Sequence, residues 1–179
     1  ITATQAAFAQ AAHVVHLDIV NQRLAALSIE PRSVLAYVEN ARLTVRLSSQ
    51  MPTGVRTALC DVIGLDKENV RVIVGDVGGG FGMKTGAYAE DIVTAYCAHK
   101  LGRPVKWIAD RNEEFLSSSH GRDIETQASM AIAKDGKILG LRIETLANVG
   151  AYPTMTGLAI QMLIGPWVQS SVYDIQTID

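Results

Sequence analysis

The chain has 179 residues, 48% of them hydrophobic, so it is long and apolar enough to build about one packed domain. Its net charge is −2 and its sixteen basic residues are scattered, which argues against a nucleic-acid-binding surface. No apolar run is long enough to cross a membrane and no segment resembles a signal peptide, so we expect a cytoplasmic location and no membrane partner. Cys60 and Cys97 form no CxxC pair and are interpreted as buried thiols in a reducing compartment.

The first part of the chain predicts strands followed by a helix. Loose alternation of apolar residues predicts a strand over residues 12–20. Two β-rich runs, residues 33–38 and 43–47, are separated by a short polar connection, which predicts a hairpin. Apolar residues then recur at helical spacing after Pro52, which suits a first helical turn, until Gly64, which suits a helix stop.

The middle of the chain predicts a strand, a glycine-rich loop and a helix in that order. The strand is the apolar run over residues 70–74. The helix is predicted from about residue 86 to 101, with Thr85 as its N-cap. A further strand over residues 105–109 and a short helix over residues 111–116 follow.

The last part of the chain predicts a long hairpin. Residues 124–133 and 137–145 are apolar runs joined by Lys134-Asp135-Gly136, and Asp-Gly between such runs favours a tight turn. Residues 155–164 predict a helix. Hairpins mixed with isolated helices indicate an α+β fold, with mixed sheets, β-hairpins and two or three packed helices. Because the chain starts without Met and stops inside a predicted strand, we expect residues 1–179 to be a portion of one domain, incomplete at both ends.

The segment over residues 75–85 holds five glycines within eight positions, and they surround Phe81. Glycine lets the backbone adopt positive φ and lets its N–H groups approach a ligand closely. At a helix start these groups also gain the positive end of the helix dipole. The segment is therefore interpreted as a cradle for an anion.

The nucleotide-binding fingerprints fit this segment poorly. The pattern G-x-G-x-x-G fails, because the last position is Met83 or Thr85, depending on the first glycine. The Walker A pattern fails only at Met83, so a phosphate site that uses Lys84 and Thr85 stays open as an alternative. A purely structural turn is also open. Phe81 is interpreted as a core anchor that can also present its N–H, and Lys84 as a solvated charge at the helix start or an anion contact.

Short segments beyond this loop occur in a recognisable order. They are Glu30-Pro31-Arg32, Ser48-Ser49-Gln50-Met51-Pro52, Asp76-Val77-Gly78-Gly79-Gly80-Phe81-Gly82-Met83-Lys84, Gly102-Arg103-Pro104-Val105-Lys106, Asp110-Arg111, Glu113-Glu114, Gly121-Arg122 and Asn148-Val149-Gly150-Ala151-Tyr152. From about residue 11 to 179 the chain resembles the molybdopterin-binding large subunit of the molybdenum hydroxylases. This is the family of xanthine dehydrogenase, aldehyde oxidase and aerobic carbon monoxide dehydrogenase.

The resemblance implies roles for particular residues. Gln50 resembles the glutamine whose side chain hydrogen-bonds near the molybdenum oxygen ligands, which makes it the implied catalytic residue. Backbone N–H groups around Phe81 and Gly82, with Gly79 and Gly80, resemble those that hold the apical oxygen and the pterin's side of the cofactor. Backbone donors suit such oxygen atoms because they need no reorganisation. No residue of the chain is implied as a direct metal ligand.

The resemblance also implies a molybdopterin cofactor, in its cytosine dinucleotide form if the source is bacterial. Iron–sulfur clusters and FAD are implied on other subunits or domains of a heteromer of higher order. The implied reaction on a small-molecule substrate is water-derived hydroxylation or oxidation of an aldehyde, an N-heterocycle or carbon monoxide.

Some parts of the family's pattern are not met by this chain. Thr85 stands where xanthine-type enzymes carry a glutamate. The catalytic glutamate and a second cofactor loop are expected beyond Asp179, so this segment alone is expected to be inactive. Two alternatives remain at this stage: a nucleotide-phosphate-binding domain resembling a P-loop, and a non-catalytic interaction domain whose glycine loop packs against a partner.

Overall fold

The computed structural model describes residues 2–179 and divides them into two units. The loop unit is Ala25–His120, and the hairpin unit is residues 2–24 together with Gly121–Asp179. In chain order the elements are α1 (Ala3–Gln10), β1 (His13–Asn21), β2 (Leu24–Ala25), β3 (Ser33–Glu39), β4 (Arg42–Leu47), α2 (Pro52–Ile63), β5 (Val70–Ile73), α3 (Ala89–Leu101), β6 (Val105–Ile108), α4 (Arg111–Ser117), β7 (His120–Gly121), β8 (Ile124–Ile132), β9 (Ile138–Ala147), α5 (Met155–Ala159) and α6 (Gly165–Trp167). A single 3₁₀ turn, Lys67–Asn69, precedes β5, and a π-helical turn, Ile160–Ile164, joins α5 to α6. The α+β fold class is confirmed.

The loop unit contains a four-stranded sheet in the order β5-β4-β3-β6. The β3–β4 hairpin is confirmed, and its turn residues Asn40 and Ala41 have φ values of 49° and 62°. Positive φ at both central residues is the geometry of a type I′ turn, which matches the twist of the two strands. β6 pairs antiparallel with β3, and β5 pairs parallel with β4.

The helices α2 and α3 supply the rest of the loop unit's core. Alternate residues of β3 and β4 face them, and the buried cluster consists of Val34, Ala36, Leu43, Val45, Leu47, Val55, Leu59, Cys60, Val70, Ala95 and Ala98. Helix α2 is confirmed from Pro52, and Gly64 ends it in the left-handed region with φ of 77°. Both cysteines are free and lie in helices, Cys60 in α2 and Cys97 in α3.

The predicted start of α3 is wrong. The helix begins at Ala89 and not near residue 86, and Thr85 does not cap it. Instead Asp91 accepts a hydrogen bond from the backbone N–H of Tyr88 at 3.0 Å, across the first turn of the helix. The glycine loop is therefore separated from α3 by several residues, and the dipole of α3 does not contribute to anion binding by the loop.

The hairpin unit contains a three-stranded antiparallel sheet in the order β1-β8-β9. The strand over residues 12–20 and the long Asp-Gly hairpin are thus confirmed. Sequence analysis did not predict α1, whose N-terminus is closed by reciprocal hydrogen bonds between Thr2 and Gln5. The helix predicted over residues 155–164 is present as α5 and the π-helical turn. Among residues 2–179 no helix is long and apolar enough to cross a membrane.

Candidate cofactor-binding site

The glycine loop runs irregularly from the end of β5 toward α3. Three of its residues lie in the left-handed region: Gly79 with φ of 99°, Phe81 with φ of 51° and Gly82 with φ of 90°. Glycine adopts this conformation without steric cost, whereas Phe81 does so only because its surroundings hold it there. The loop therefore has a coiled backbone that a sequence with fewer glycines could not adopt.

Gln50 lies against this loop, from the segment between β4 and α2. Its Oε1 accepts hydrogen bonds from the backbone N–H groups of Gly82 at 3.1 Å and Lys84 at 3.2 Å. Its own backbone N–H donates to the Lys84 carbonyl at 2.9 Å. The side-chain NH₂ of Gln50 has no acceptor among residues 2–179. One end of the amide thus shapes the loop, and the other remains a free donor.

Gly80 is what allows Gln50 to approach so closely. A Cβ at this position would lie 2.5 Å from both Cδ and Oε1 of Gln50, which is far inside a normal contact distance. The same holds at Gly78, where a Cβ would lie 2.5 Å from Cβ of Glu30. These glycines are therefore required by side chains that close in on the loop from outside.

Three consecutive N–H groups of the loop, those of Gly79, Gly80 and Phe81, form what we call the donor row. None of them donates to an acceptor within the described part of the chain. Gly80 is buried, and orphaned N–H groups at buried residues are rare in folded proteins. The donor row and the Gln50 NH₂ can thus donate to oxygen atoms of a bound group that carries negative charge.

Phe81 is not the core anchor predicted from the sequence. Its side chain is 75% exposed, so it adds nothing to the core of the loop unit. The ring lies over the backbone of Gly79, where a Cβ would come within 2.9 Å of it. An exposed aromatic ring beside unpaired N–H groups is available to a ligand that combines polar and flat apolar parts.

Lys84 is neither solvated nor at a helix start, which corrects the prediction. Only 1% of it is exposed. Its Nζ donates to Ser48 Oγ at 2.8 Å, to the Glu30 carbonyl at 2.9 Å and to Glu30 Oε2 at 3.0 Å. All three ammonium hydrogens therefore have protein acceptors, so Lys84 has none left for a nucleotide phosphate. With Met83 also buried and α3 beginning later, the P-loop alternative is not favoured.

Glu30 and Ser48 are site residues to which sequence analysis assigned no role, although both lie in segments it singled out. Burial by itself would raise the pKa of the Glu30 carboxyl. Hydrogen bonds from Ser48, Lys84 and Gly78, with the charge of Lys84, outweigh burial and lower this pKa below its usual value. The Glu30 carboxyl is therefore held as a carboxylate.

Arg32, two residues after Glu30, binds side chains that neighbour the loop. It is 3% exposed and donates to Glu114 Oε1 at 2.8 Å, and its guanidinium lies 3.8 Å from the centroid of the Tyr88 ring. The Tyr88 hydroxyl in turn donates to the Met83 carbonyl at 2.6 Å. The Glu-Pro-Arg segment thus contacts the loop directly at Gly78, through Glu30, and indirectly at Met83, through Arg32 and Tyr88.

Residues 2–179 contain no group of three His, Cys, Asp or Glu side chains that could hold a metal ion.

Comparison with known proteins gives this geometry a context. The model of the molybdopterin cofactor-binding domain matches residues 2–179. The chain is 33% identical over 167 residues to the 6-hydroxypseudooxynicotine dehydrogenase complex subunit gamma of Paenarthrobacter nicotinovorans, covering 90% of this chain and 21% of that protein. It is 36% identical over 152 residues to the carbon monoxide dehydrogenase large chain of Hydrogenophaga pseudoflava, covering 84% of this chain and 19% of that protein.

The fold agrees with the sequence comparison. The crystal structure of quinoline 2-oxidoreductase from Pseudomonas putida 86 superposes with a TM-score of 0.88 at 30% identity, over 97% of this chain and 22% of that one. The chain thus spans about a fifth of the length of the curated relatives named above. Because the domain model covers all the described residues, the chain belongs to the molybdopterin cofactor-binding domain family of the molybdenum hydroxylases.

Proposed function

We propose that this chain is part of a molybdenum hydroxylase large subunit and that the glycine loop and Gln50 contact the molybdopterin directly. The observation that carries the proposal is the donor row, three consecutive N–H groups without a protein acceptor, beside the free NH₂ of Gln50. The residues present fit the group, because molybdopterin and its metal present oxygen acceptors, and three consecutive N–H groups of the loop are unpaired donors.

Each residue has a distinct role in this proposal. Gly79, Gly80 and Phe81 donate backbone hydrogen bonds, and Gln50 donates through Nε2 while its Oε1 fixes the loop. The N–H of Gly82 is taken by Gln50, so Gly82 acts by giving the loop its turn and not as a donor to the cofactor. These donors are fixed before the ligand arrives, so they need no reorganisation when charge develops on the acceptor.

When bound, the cofactor supplies the redox centre for water-derived hydroxylation or oxidation of an aldehyde, an N-heterocycle or carbon monoxide. Neither a glutamine amide nor a backbone N–H can take up a proton at neutral pH. Proton abstraction therefore belongs to other residues of the intact enzyme, and residues 1–179 alone are expected to be inactive.

The proposal extends to form and partners. We infer the cytosine dinucleotide form of the cofactor, a cytoplasmic heteromer with iron–sulfur and FAD-binding subunits or domains, and residues 1–179 as a portion of one domain. The relatives support the heteromer, because they are named as the gamma subunit of a dehydrogenase complex and as the large chain of carbon monoxide dehydrogenase.

Two substitutions at Gln50 test the site in the intact protein. Gln50→Glu keeps an oxygen that can accept from Gly82 and Lys84 but replaces the NH₂ donor with a negative charge. Gln50→Ala removes both functions. We expect turnover to fall by roughly 10²-fold in Gln50→Glu while the loop stays ordered in hydrogen exchange, and Gln50→Ala to lose both turnover and loop protection. The exposed Gln22→Glu is the matched control. Wild-type turnover in Gln50→Glu would refute the role of the NH₂.

Metal content separates this function from the alternatives. We expect elemental analysis of the intact protein to give molybdenum near one equivalent per large subunit. Absence of molybdenum, together with ATP binding that Lys84→Ala abolishes, would refute the proposal in favour of a phosphate site. A folded protein that binds neither would favour the interaction domain.

A further inference from the structure

The two ends of the glycine loop are tied to one residue outside it. At the start of the loop, Glu30 Oε2 accepts from the N–H of Gly78 at 2.7 Å, and the Glu30 N–H donates to the Gly78 carbonyl at 3.3 Å. At its end, Lys84 Nζ donates to the carbonyl and carboxylate of the same Glu30. Ser48 Oγ also donates to Glu30 Oε2 at 2.7 Å. We call the side chains of Glu30, Ser48 and Lys84 the loop clasp.

Within the loop clasp, the charged groups of Glu30 and Lys84 pair with each other, and both bind the Ser48 hydroxyl. The carboxylate that pairs with Lys84 is that of Glu30, at 3.0 Å, and the Lys84 side chain is 1% exposed. A buried ammonium is tolerated only when its charge is paired and its hydrogens are bonded, and here both conditions depend on Glu30. The Ser48 hydroxyl completes the set, since it donates to the carboxylate and accepts from the ammonium.

Apart from the loop clasp, few hydrogen bonds hold the loop. Between Gly78 and Lys84 its internal backbone bond is from the Met83 N–H to the Gly80 carbonyl at 2.8 Å. The other bonds come from Gln50 and from the Thr85 and Tyr88 hydroxyls, which donate to the Gly82 and Met83 carbonyls. Consecutive glycines have a large conformational freedom that must be suppressed to keep a single backbone shape. A fixed separation between Gly78 and Lys84 suppresses it for the residues that lie between them.

We propose that Glu30 and Lys84 are positioning residues: they fix the two ends of the loop so that Gly79, Gly80 and Phe81 present their unpaired N–H groups in one arrangement. This inference rests on the proposed function for the identity of the ligand but not for the order of the loop. It gives the loop lysine a role that does not involve contact with a phosphate or with the substrate.

The test is hydrogen exchange in the intact protein prepared without cofactor, followed on peptides that cover residues 76–85. Glu30→Ala removes the acceptor for Gly78, and Lys84→Met removes the ammonium but keeps most of the stem. Each is expected to accelerate exchange of this segment roughly tenfold, the effect of losing a charged hydrogen bond. Glu68→Gln, an exposed carboxylate in the same unit, is the matched control and should leave exchange unchanged.

The double variant Glu30→Ala/Lys84→Met guards against a trivial loss of folding, because it leaves no unpaired buried charge. If the clasp acts as a unit, the double variant accelerates loop exchange no more than the worse single variant. The inference would be overturned if the loop of the double variant exchanged as slowly as that of the control. It would also be overturned if the acceleration in the double variant equalled the product of the accelerations in the two single variants.

A second readout applies to the cofactor-loaded enzyme. Misplaced donors lower kcat, whereas substrate affinity depends on other contacts, so we expect kcat to fall about tenfold or more in both single variants with KM nearly unchanged. A kcat equal to that of Glu68→Gln, despite a loosened loop, would remove the positioning role. Lack of molybdenum in the wild-type protein would refute the proposed function, and the exchange experiment would still decide whether the clasp orders the loop.

Discussion

The two units of this chain bury their apolar residues to very different degrees. In the loop unit, α2 and α3 cover one face of the sheet, and the main core cluster lies entirely there. In the hairpin unit, β1 is exposed over nearly its whole length, including Leu17 at 59% and Val20 at 74%, and the buried apolar residues are Ala131 and Leu141. The same alternating pattern thus produces strands in both units, but the main core forms where α2 and α3 pack on the sheet and not where the short α1 packs on β9.

The difference matters for function because the candidate site belongs to the well-packed unit. Gln50 follows directly after β4 and precedes α2, and the glycine loop follows β5. Gln50 thus continues from β4, whose inward residues Leu43, Val45 and Leu47 are buried, and the loop continues from β5, where Val70 is buried. Sites on rigid elements hold their geometry better than sites on mobile loops.

The largest expected effect is on the free energy of unfolding, and it tests whether the two units really differ in the packing of their cores. Leu59→Ala in α2 removes a side chain with no exposure and should lower the free energy of unfolding of the loop unit by about 2–5 kcal/mol. Leu17→Ala in β1 should cost less than about 1 kcal/mol, because the residue is exposed. Exchange protection of peptides from each unit of the intact protein measures both. An equal cost for Leu17→Ala would mean that residues outside 2–179 pack on β1.

A second, smaller effect concerns a buried charge in the loop unit. Burial raises the pKa of Asp91 to about 6, against opposing contributions from the Tyr88 N–H and the charge of Arg32. A raised carboxyl pKa means that the folded state binds the proton more tightly than the unfolded state. Its contribution to stability is therefore fully present below the ordinary value of 3.8 and is lost as pH rises from there through about 6.

Asp91→Asn should remove this pH dependence while keeping an oxygen for the Tyr88 N–H. We expect the variant to match wild type near pH 4 and to exceed it by roughly 2–3 kcal/mol at pH 7.5 in the local stability of α3, measured by hydrogen exchange across pH. Asp18→Asn on the exposed β1 is the control and should show no such crossover. A variant that is less stable than wild type at pH 7.5 would contradict the prediction.

The smallest effect should be the same in both units. Gly64 after α2 and Gly136 in the β8–β9 turn have φ values of 77° and 89°, and a Cβ would meet no neighbour at either position. Gly64→Ala and Gly136→Ala should each cost about 1 kcal/mol from backbone strain alone. Thermal unfolding of the two variants checks this. A much larger cost at Gly64 would show that strain there spreads into the core, which would sharpen the difference between the units.

The amino-acid sequence by itself determined most of the local structure and the family. Some signals depend only on neighbours in the chain: the alternation of apolar residues, Asp-Gly at residues 135–136 and the helix stop at Gly64. The elements that these signals indicate, β1, both hairpins and α2, were therefore predicted correctly. Helix α1 was not, because its small apolar residues form no distinct face, and the start of α3 was misplaced because the capping carboxylate of Asp91 lies inside the helix.

Only the tertiary structure decided what surrounds the glycine loop. Phe81 turned out to be exposed and Lys84 buried, the reverse of what an aromatic and a lysine usually indicate. Glu30, Ser48 and Gln50 lie 28 or more residues before Gly78 in the chain, and the pairing of β3, β4 and β5 brings them to the loop. Sequence patterns report local preference, whereas a buried ammonium is stable only where a carboxylate distant in the chain meets it in space.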